Sequence, residues 1–180
     1  KDFRKRSLQS KTISFFTKIN IISKWFYGRP KSRSKDYLSM NKPIAITCGD
    51  PTGIGPEITT KAWLALKDEL TIILFSSFNF MKKNFPDIPM FKINKIGDAN
   101  KIMQKGLPIF DVPFSTFPKI GELNVNLAAE TIKSIKLATN SCIEGETTAI
   151  CTNPINKFSL MSGTNFNFTG HTDYLKHLTG

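Results

Sequence analysis

Apolar positions along this chain follow two periods. Pro43–Cys48 (PIAITC), Thr71–Phe75 (TIILF) and Thr147–Cys151 (TTAIC) are short runs rich in β-branched residues and bounded by turn formers, as expected of strands buried on both faces. Met90–Ile93 and Ile109–Val112 are shorter stretches in a segment punctuated by Pro86, Pro89 and Pro108, and read as short strands. Between them the period lengthens. Leu127, Ile132, Ile135 and Leu137–Ala138 recur at near-helical spacing and predict a helix from about Asn126 to Ile143, stopped by Gly145. Pro56 suits the first turn of a helix running to about Lys67, and a last helix is expected to start near His171 and to be cut off at Gly180. Toward the beginning, Phe15, Phe16, Ile19, Ile22 and Phe26 also fall at helical spacing, with Lys11, Lys18 and Lys24 elsewhere on the turn. Gly28, Pro30 and the run 31–35 make a linker.

Strands alternating with helices predict an α/β fold with a mainly parallel sheet flanked by helices. Ligands of such sheets bind beyond the carboxyl ends of the strands. Two loops leave strands at that end: Gly49–Glu57 after the first, and Thr152–Lys157 after the Thr147–Cys151 strand.

Charge divides the chain. The net charge of +11 suggests a nucleic-acid partner, but residues 1–39 hold eleven Lys and Arg against two acids, which leaves +2 for the other 141 residues. A folded part built to neutralise phosphates would carry that charge itself, so no nucleic-acid partner is expected of the body. The basic stretch is either a membrane-surface or transit-like helix, or a disordered leader upstream of a true start at Met40; the leader is the reading adopted. The expected organisation is therefore a basic leader over 1–39 and a folded body over 40–180. No apolar run approaches the roughly 18 residues of a membrane-spanning helix, so a soluble, cytoplasmic protein without a membrane partner is expected. Cys48, Cys142 and Cys151 are odd in number and widely spaced, which fits a reducing compartment rather than a disulfide framework. With only His171 and His177 in the chain, a metal site would need carboxylates or groups from elsewhere.

Three constellations carry candidate chemistry. Gly49-Asp50-Pro51-Thr52-Gly53-Ile54-Gly55-Pro56-Glu57 puts three glycines within seven residues after a buried strand, so backbone can approach a ligand, with a helix N-terminus to favour an anion. It is neither a Walker A loop nor a GxGxxG fingerprint, and the plainer alternative is a tight strand-to-helix turn. Thr152-Asn153-Pro154-Ile155-Asn156-Lys157 offers neutral donors and one cation for a phosphate or carboxylate; the alternative is a turn with a solvated lysine. Phe168-Thr169-Gly170-His171-Thr172-Asp173-Tyr174-Leu175 sets an imidazole beside a hydroxyl and a carboxylate at a helix start, suited to binding a hydroxyl-bearing or anionic substrate or to moving protons near neutral pH. Its alternative is a cap by Thr172 or Asp173 with His171 on the surface. His177 lies away from His171 on that helix and is expected to be structural or exposed.

In this order, CGDPTGIGPEI, AICTNPINKFSL and FTGHTDYLKHLTG, with IGELNVNLAAETIKSI between the first two, closely resemble the 4-hydroxythreonine-4-phosphate dehydrogenase family of vitamin B6 biosynthesis. The likeness runs from about Lys42 to Gly180. The first motif is also similar to the GDGIGPE loop of isocitrate and isopropylmalate dehydrogenases, and implies their fold. The resemblance implies NAD-dependent oxidation of 4-phosphohydroxy-L-threonine at its secondary alcohol, with a divalent metal polarising the alcohol oxygen; the β-keto acid formed loses CO2 to give 3-amino-2-oxopropyl phosphate. It further implies a homodimer with its site near the subunit interface.

Residue by residue, the resemblance places substrate binding on His171 and Thr172. It places an active-site loop on Asp50, Gly53, Gly55 and Glu57, and a second contact region on Asn153 and Lys157. Asp173 stands where the family usually has Glu, Asn156 where some members have His, and Thr52 where Ala is common. The family's metal-binding histidines, later phosphate-binding cations and much of the dinucleotide site fall beyond residue 180, so no metal ligand is assigned here. The chain is read as an amino-terminal portion, expected to be inactive alone. A related metal- and NAD-dependent dehydrogenase of another phosphorylated hydroxy acid is the alternative within enzymes, and a basic-tail binding module for nucleic acid or membrane surfaces is the alternative outside them.

Overall fold

The computed structural model describes residues 42–180. The basic stretch 1–39, with its amphipathic helix and linker, lies outside the described residues. Five strands form one sheet: β1 (Ile44–Thr47), β2 (Ile72–Ser76), β3 (Met90–Ile93), β4 (Leu107–Asp111) and β5 (Ala149–Cys151), in the order β3-β4-β2-β1-β5. Every pairing is parallel. Among the described residues six helices accompany them: α1 (Gly55–Leu66), α2 (Phe78–Asn84), α3 (Ala99–Ile102), α4 (Ala128–Ile143), α5 (Lys157–Gly163) and α6 (His171–Thr179). No described helix is long and apolar enough to cross a membrane.

The periodic segments fold as their patterns predict. All five residues of β2 are buried, and α4 spans 16 residues behind a 3-10 turn at Val125–Leu127. Ala138 of α4 joins Ala45, Ile73, Phe75 and Val112 in one core cluster. Ala128 and Ile135, also on α4, join Leu160, Phe166 and Tyr174 in a second, which docks α5 and α6 onto the long helix. Trp63 of α1 is 2 % exposed and donates its indole N–H to Met103 O at 3.0 Å.

Three points depart from the sequence reading. Strand β4 starts at Leu107, ahead of the expected Ile109, and contains Pro108. Leu107 donates its N–H to Pro89 O on the β3 side. By strand alternation, the N–H that proline lacks would face β2, which begins to pair only at Ile109, so the sheet loses no bond. Helix α2 was unexpected because its start is closed by tertiary contact: Asp111 Oδ1 accepts the Phe78 N–H at 2.9 Å from 33 residues away, beside the local Ser77 cap. The expected loop Thr152–Lys157 gives way at Lys157 to α5, which Asn156 caps by accepting the Ser159 N–H at 3.1 Å.

The strand order places a switch point at β1. From it the chain steps to β2 on one side and, after β3 and β4, returns to β5 on the other. Adjacent parallel strands whose connections diverge leave a crevice between the loops at their carboxyl ends. The loops after β1 and β5 are those two.

Candidate functional site

Gly49, two residues after β1, has φ +65°, a left-handed conformation that side chains rarely adopt. A Cβ there would stand 2.5 Å from Pro154 O and 2.7 Å from Asn153 Cβ, so two backbones meet at this residue. Asp50 donates its N–H to Pro154 O at 2.8 Å, which continues the β1–β5 association past the strands. The carboxylate of Asp50 turns back on its own loop: Oδ1 accepts from the Thr52 N–H at 2.9 Å and the Thr52 hydroxyl at 2.8 Å, an Asx turn. Gly121 N–H, donated to Thr52 O at 2.8 Å, holds the loop from its other side. Gly55 is also sterically required, because a Cβ would come within 2.8 Å of Cys48 O. Gly53 is not: the nearest atom would be 3.4 Å away.

Asn153 carries the second loop, in a manner the sequence reading did not foresee. It is 1 % exposed. Its Nδ2 donates to Thr47 O at 2.9 Å, Thr59 Oγ1 at 2.8 Å and Gly55 O at 3.3 Å, and its N–H donates to Thr47 Oγ1 at 3.1 Å. The Nδ2 donors therefore lock the end of β1 to the first turn of α1. Around it, Ser134 of α4 accepts the Cys48 N–H at 2.9 Å and donates to Phe75 O at 2.6 Å. A low-dielectric network with its donors satisfied rigidifies the floor on which the loops stand.

Between the loops opens a groove of about 580 Å³. Asp50, Gly53 and Ile54 line it from the first loop; Pro154, Ile155, Asn156, Lys157 and Phe158 line it from the second. Its volume suits a small ligand. Asp50 and Lys157, of opposite charge, both line it, and Ile54 and Phe158, 60 % and 63 % exposed, are its exposed apolar residues.

The third motif adjoins this groove without lining it. Lys157 Cε lies 3.8 Å from the position that a Cβ on Gly170 would take, so the lysine stem passes directly over the residue before His171. His171 opens α6 and is half-buried. Burial holds its pKa below the usual histidine value, which keeps the imidazole neutral near pH 7. Its buried Nε2 has no hydrogen-bond partner among the described residues. Thr172 is exposed. Helix α6 is anchored by Tyr174, whose ring packs 5.1 Å from that of Phe166 and 4.9 Å from that of Phe168.

Two carboxylates of the motifs are turned to local structure. Asp173 Oδ2 accepts the Thr169 N–H at 3.0 Å and closes the turn before α6. Glu57 is exposed on α1 and pairs with Lys61, away from the groove lining. His177 is exposed and packs 5.0 Å from the Phe168 ring. The thiol of Cys48 is pushed up to about 12 by burial, and that of Cys151 to about 11 for the same reason; neither is a thiolate nucleophile at neutral pH. Among the described residues no three His, Cys, Asp or Glu side chains gather closely enough to hold a metal ion. Ile54, Phe158 and the required Gly49 were missed as site residues. A glycine directly following an apolar run was the readable sign of Gly49, whereas the two apolar residues carry no local sign.

These features define a class: parallel α/β domains with a crevice between loops at a sheet switch point, the place where ligands of such sheets bind. Within that class the chain belongs to the family described as pyridoxal phosphate biosynthetic protein PdxA, whose family model matches residues 68–180. It is 31 % identical over 137 residues to the 4-hydroxythreonine-4-phosphate dehydrogenase of Ruegeria sp. (strain TM1040), covering 76 % of this chain and 41 % of that protein. It is 29 % identical over 150 residues to the enzyme of that name from Aquifex aeolicus (strain VF5), covering 78 % of this chain and 44 % of that protein. The crystal structure of 4-hydroxythreonine-4-phosphate dehydrogenase from Klebsiella pneumoniae superposes with a TM-score of 0.65 at 27 % identity, over 77 % of this chain and 44 % of that one. The fold is shared with the Burkholderia phymatum structure of the same name, with a TM-score of 0.68 at 24 % identity over the same 77 % and 44 %. The chain thus spans under half the length of these relatives.

Proposed function

We propose that residues 42–180 supply the substrate-facing groove of a 4-hydroxythreonine-4-phosphate dehydrogenase, the enzyme that oxidises 4-phosphohydroxy-L-threonine at its secondary alcohol in pyridoxal phosphate biosynthesis. The observation that carries this reading is the meeting of Asp50 and Lys157 in one groove, with the Lys157 stem lying over Gly170 beside His171.

Each side chain has a distinct task in that reading. Lys157 places an ammonium where a phosphate or carboxylate of the substrate is attracted and held. His171, neutral beside the Lys157 end of the groove, binds a substrate hydroxyl or oxyanion that extends past Lys157, and Thr172 adds a donor next to it. Asp50, fixed by Thr52, faces the substrate's ammonium or hydroxyl groups. Ile54 and Phe158 restrict water in the groove. A nicotinamide cofactor would supply the hydride acceptor for the alcohol carbon, with neutral His171 the group that would take the hydroxyl proton. The groove is sized for the small substrate rather than for a whole dinucleotide. Among the described residues Asp50 is the single carboxylate in its wall, one ligand where a divalent ion needs several, so these residues do not by themselves fit a metal.

Titrating the 180-residue chain with 4-phosphohydroxy-L-threonine, followed by amide NMR shifts, tests the reading. Saturable shifts are expected at Asp50–Gly53, Asn156–Lys157 and Gly170–Thr172, and Lys157→Ala should weaken them at least tenfold. Shifts scattered elsewhere, or an equal response to inorganic phosphate alone, refute it. In a chain of the relatives' full length, His171→Ala should lower kcat/KM by about two to four decades, the scale of acid–base and positioning groups.

A further inference from the structure

A second, much smaller cavity of about 10 Å³ shares Asp50 and Asn156 with the groove and is lined also by Asn124, Thr131 and Ser159, with Leu127 among its apolar residues. Ser159 is 6 % exposed. Its hydroxyl oxygen is fully buried and has no hydrogen-bond partner among the described residues. A serine in a helix ordinarily settles such a hydroxyl on a carbonyl three or four residues back, as Thr131 and Thr139 do here on Leu127 and Ile135. Ser159 does not. A stranded buried hydroxyl is costly to the fold, and a cavity of roughly 10–15 Å³ is the size that admits one water.

We infer that this cavity is a binding site for a single ordered water, which bridges the Ser159 hydroxyl to the Asp50 loop. The polar lining meets the requirement of two to four partners for a buried water. Asp50 has Oδ1 committed to Thr52, while Oδ2 takes no donor among the described residues and can accept from the water. Thr131 donates its hydroxyl to Leu127 O and Gly49 O and so retains acceptor capacity. The consequence is mechanical. Asp50 lines both the cavity and the open groove, and Ser159 lies two residues beyond Lys157 on α5. Through the water, the two charged residues of the groove are tied into one unit, whichever ligand the groove takes.

Crystal structures of the 180-residue chain and of Ser159→Ala decide the matter, with water-to-amide cross-relaxation at Ser159 in solution as a second readout. An isolated density peak is expected in the parent within about 2.7–3.2 Å of both Ser159 Oγ and an oxygen or nitrogen of Asp50. It should be lost in Ser159→Ala, and the parent should show long-lived water contacts at the Ser159 amide. Four results overturn the inference: an empty cavity, a Ser159 hydroxyl turned onto its own helix carbonyls, a peak unchanged in the alanine variant, or absence of the cross-relaxation. A peak ringed by six or more oxygens at about 2.3–2.6 Å would identify a cation instead, and would equally overturn it.

Discussion

Replacing Asn153 by alanine should damage this domain more than any exposed substitution, and the cost can be worked from the contacts. The buried amide serves Thr47 O at 2.9 Å, Thr59 Oγ1 at 2.8 Å and, at a longer 3.3 Å, Gly55 O. Truncation leaves Gly55 O with the Thr59 hydroxyl as donor, but strands Thr47 O and a lone pair of Thr59. Each stranded buried acceptor costs about 1–3 kcal/mol, and the rotamer freedom regained in the unfolded chain offsets only a fraction of that. A loss of about 3 kcal/mol is expected. For a chain of this size each kcal/mol moves Tm by about 2–4 °C, so thermal melts by circular dichroism should fall by about 6–12 °C, and urea midpoints should fall with unchanged slope. Asn153→Asp keeps the shape but turns a carboxylate onto three acceptors, and should be worse. A double-mutant cycle with Thr59→Val should return a coupling of about 1 kcal/mol. An Asn153→Ala variant within about 0.5 kcal/mol of the parent, or an aspartate variant as stable as the parent, would refute the account of this residue as a latch.

The glycines of the first loop should separate by conformation. Gly49→Ala combines a left-handed φ, worth about 1–2 kcal/mol, with a Cβ 2.5 Å from Pro154 O, and should lower unfolding free energy by more than about 2 kcal/mol. Gly53→Ala, whose Cβ would meet only ordinary contacts with Asp50 from 3.4 Å, should stay within about 0.5 kcal/mol; equal effects in urea titrations would show that the loop is not built as described. Burial lowers the pKa of His171, so the unfolded chain takes up its proton as pH falls through about 6.5 while the native state resists. Stability should therefore decline as pH falls through that range, and His171→Asn should flatten the decline; equal slopes in melts across pH would show that the imidazole is not held neutral by the fold.

The parts of this protein legible in its sequence are those whose cause is local. Strands β1, β2 and β5 are continuous apolar runs, α4 has its periodic stripe and its Gly145 stop, and the loops after β1 and β5 are marked by glycine, proline and asparagine. The two charged groove residues, Asp50 and Lys157, lie in the loops the sequence singles out. What lay beyond it depends on atoms far apart along the chain. The latch role of Asn153 is one case: its partners at Thr47, Gly55 and Thr59 lie 94 to 106 residues away, and strand register alone brings them together. Helix α2 begins where Asp111 reaches across the sheet, and α3 has four residues, too few to show a period. Glu57 and Asp173 share motifs with true groove residues, yet helix geometry turns one to Lys61 and the other to Thr169. The pattern of residue types sets which segments are strands, helices and bends, because those depend on neighbours within a few positions. Which polar groups are spent inside and which face the groove is decided by the order in which the strands pair, and only the folded sheet supplies that order.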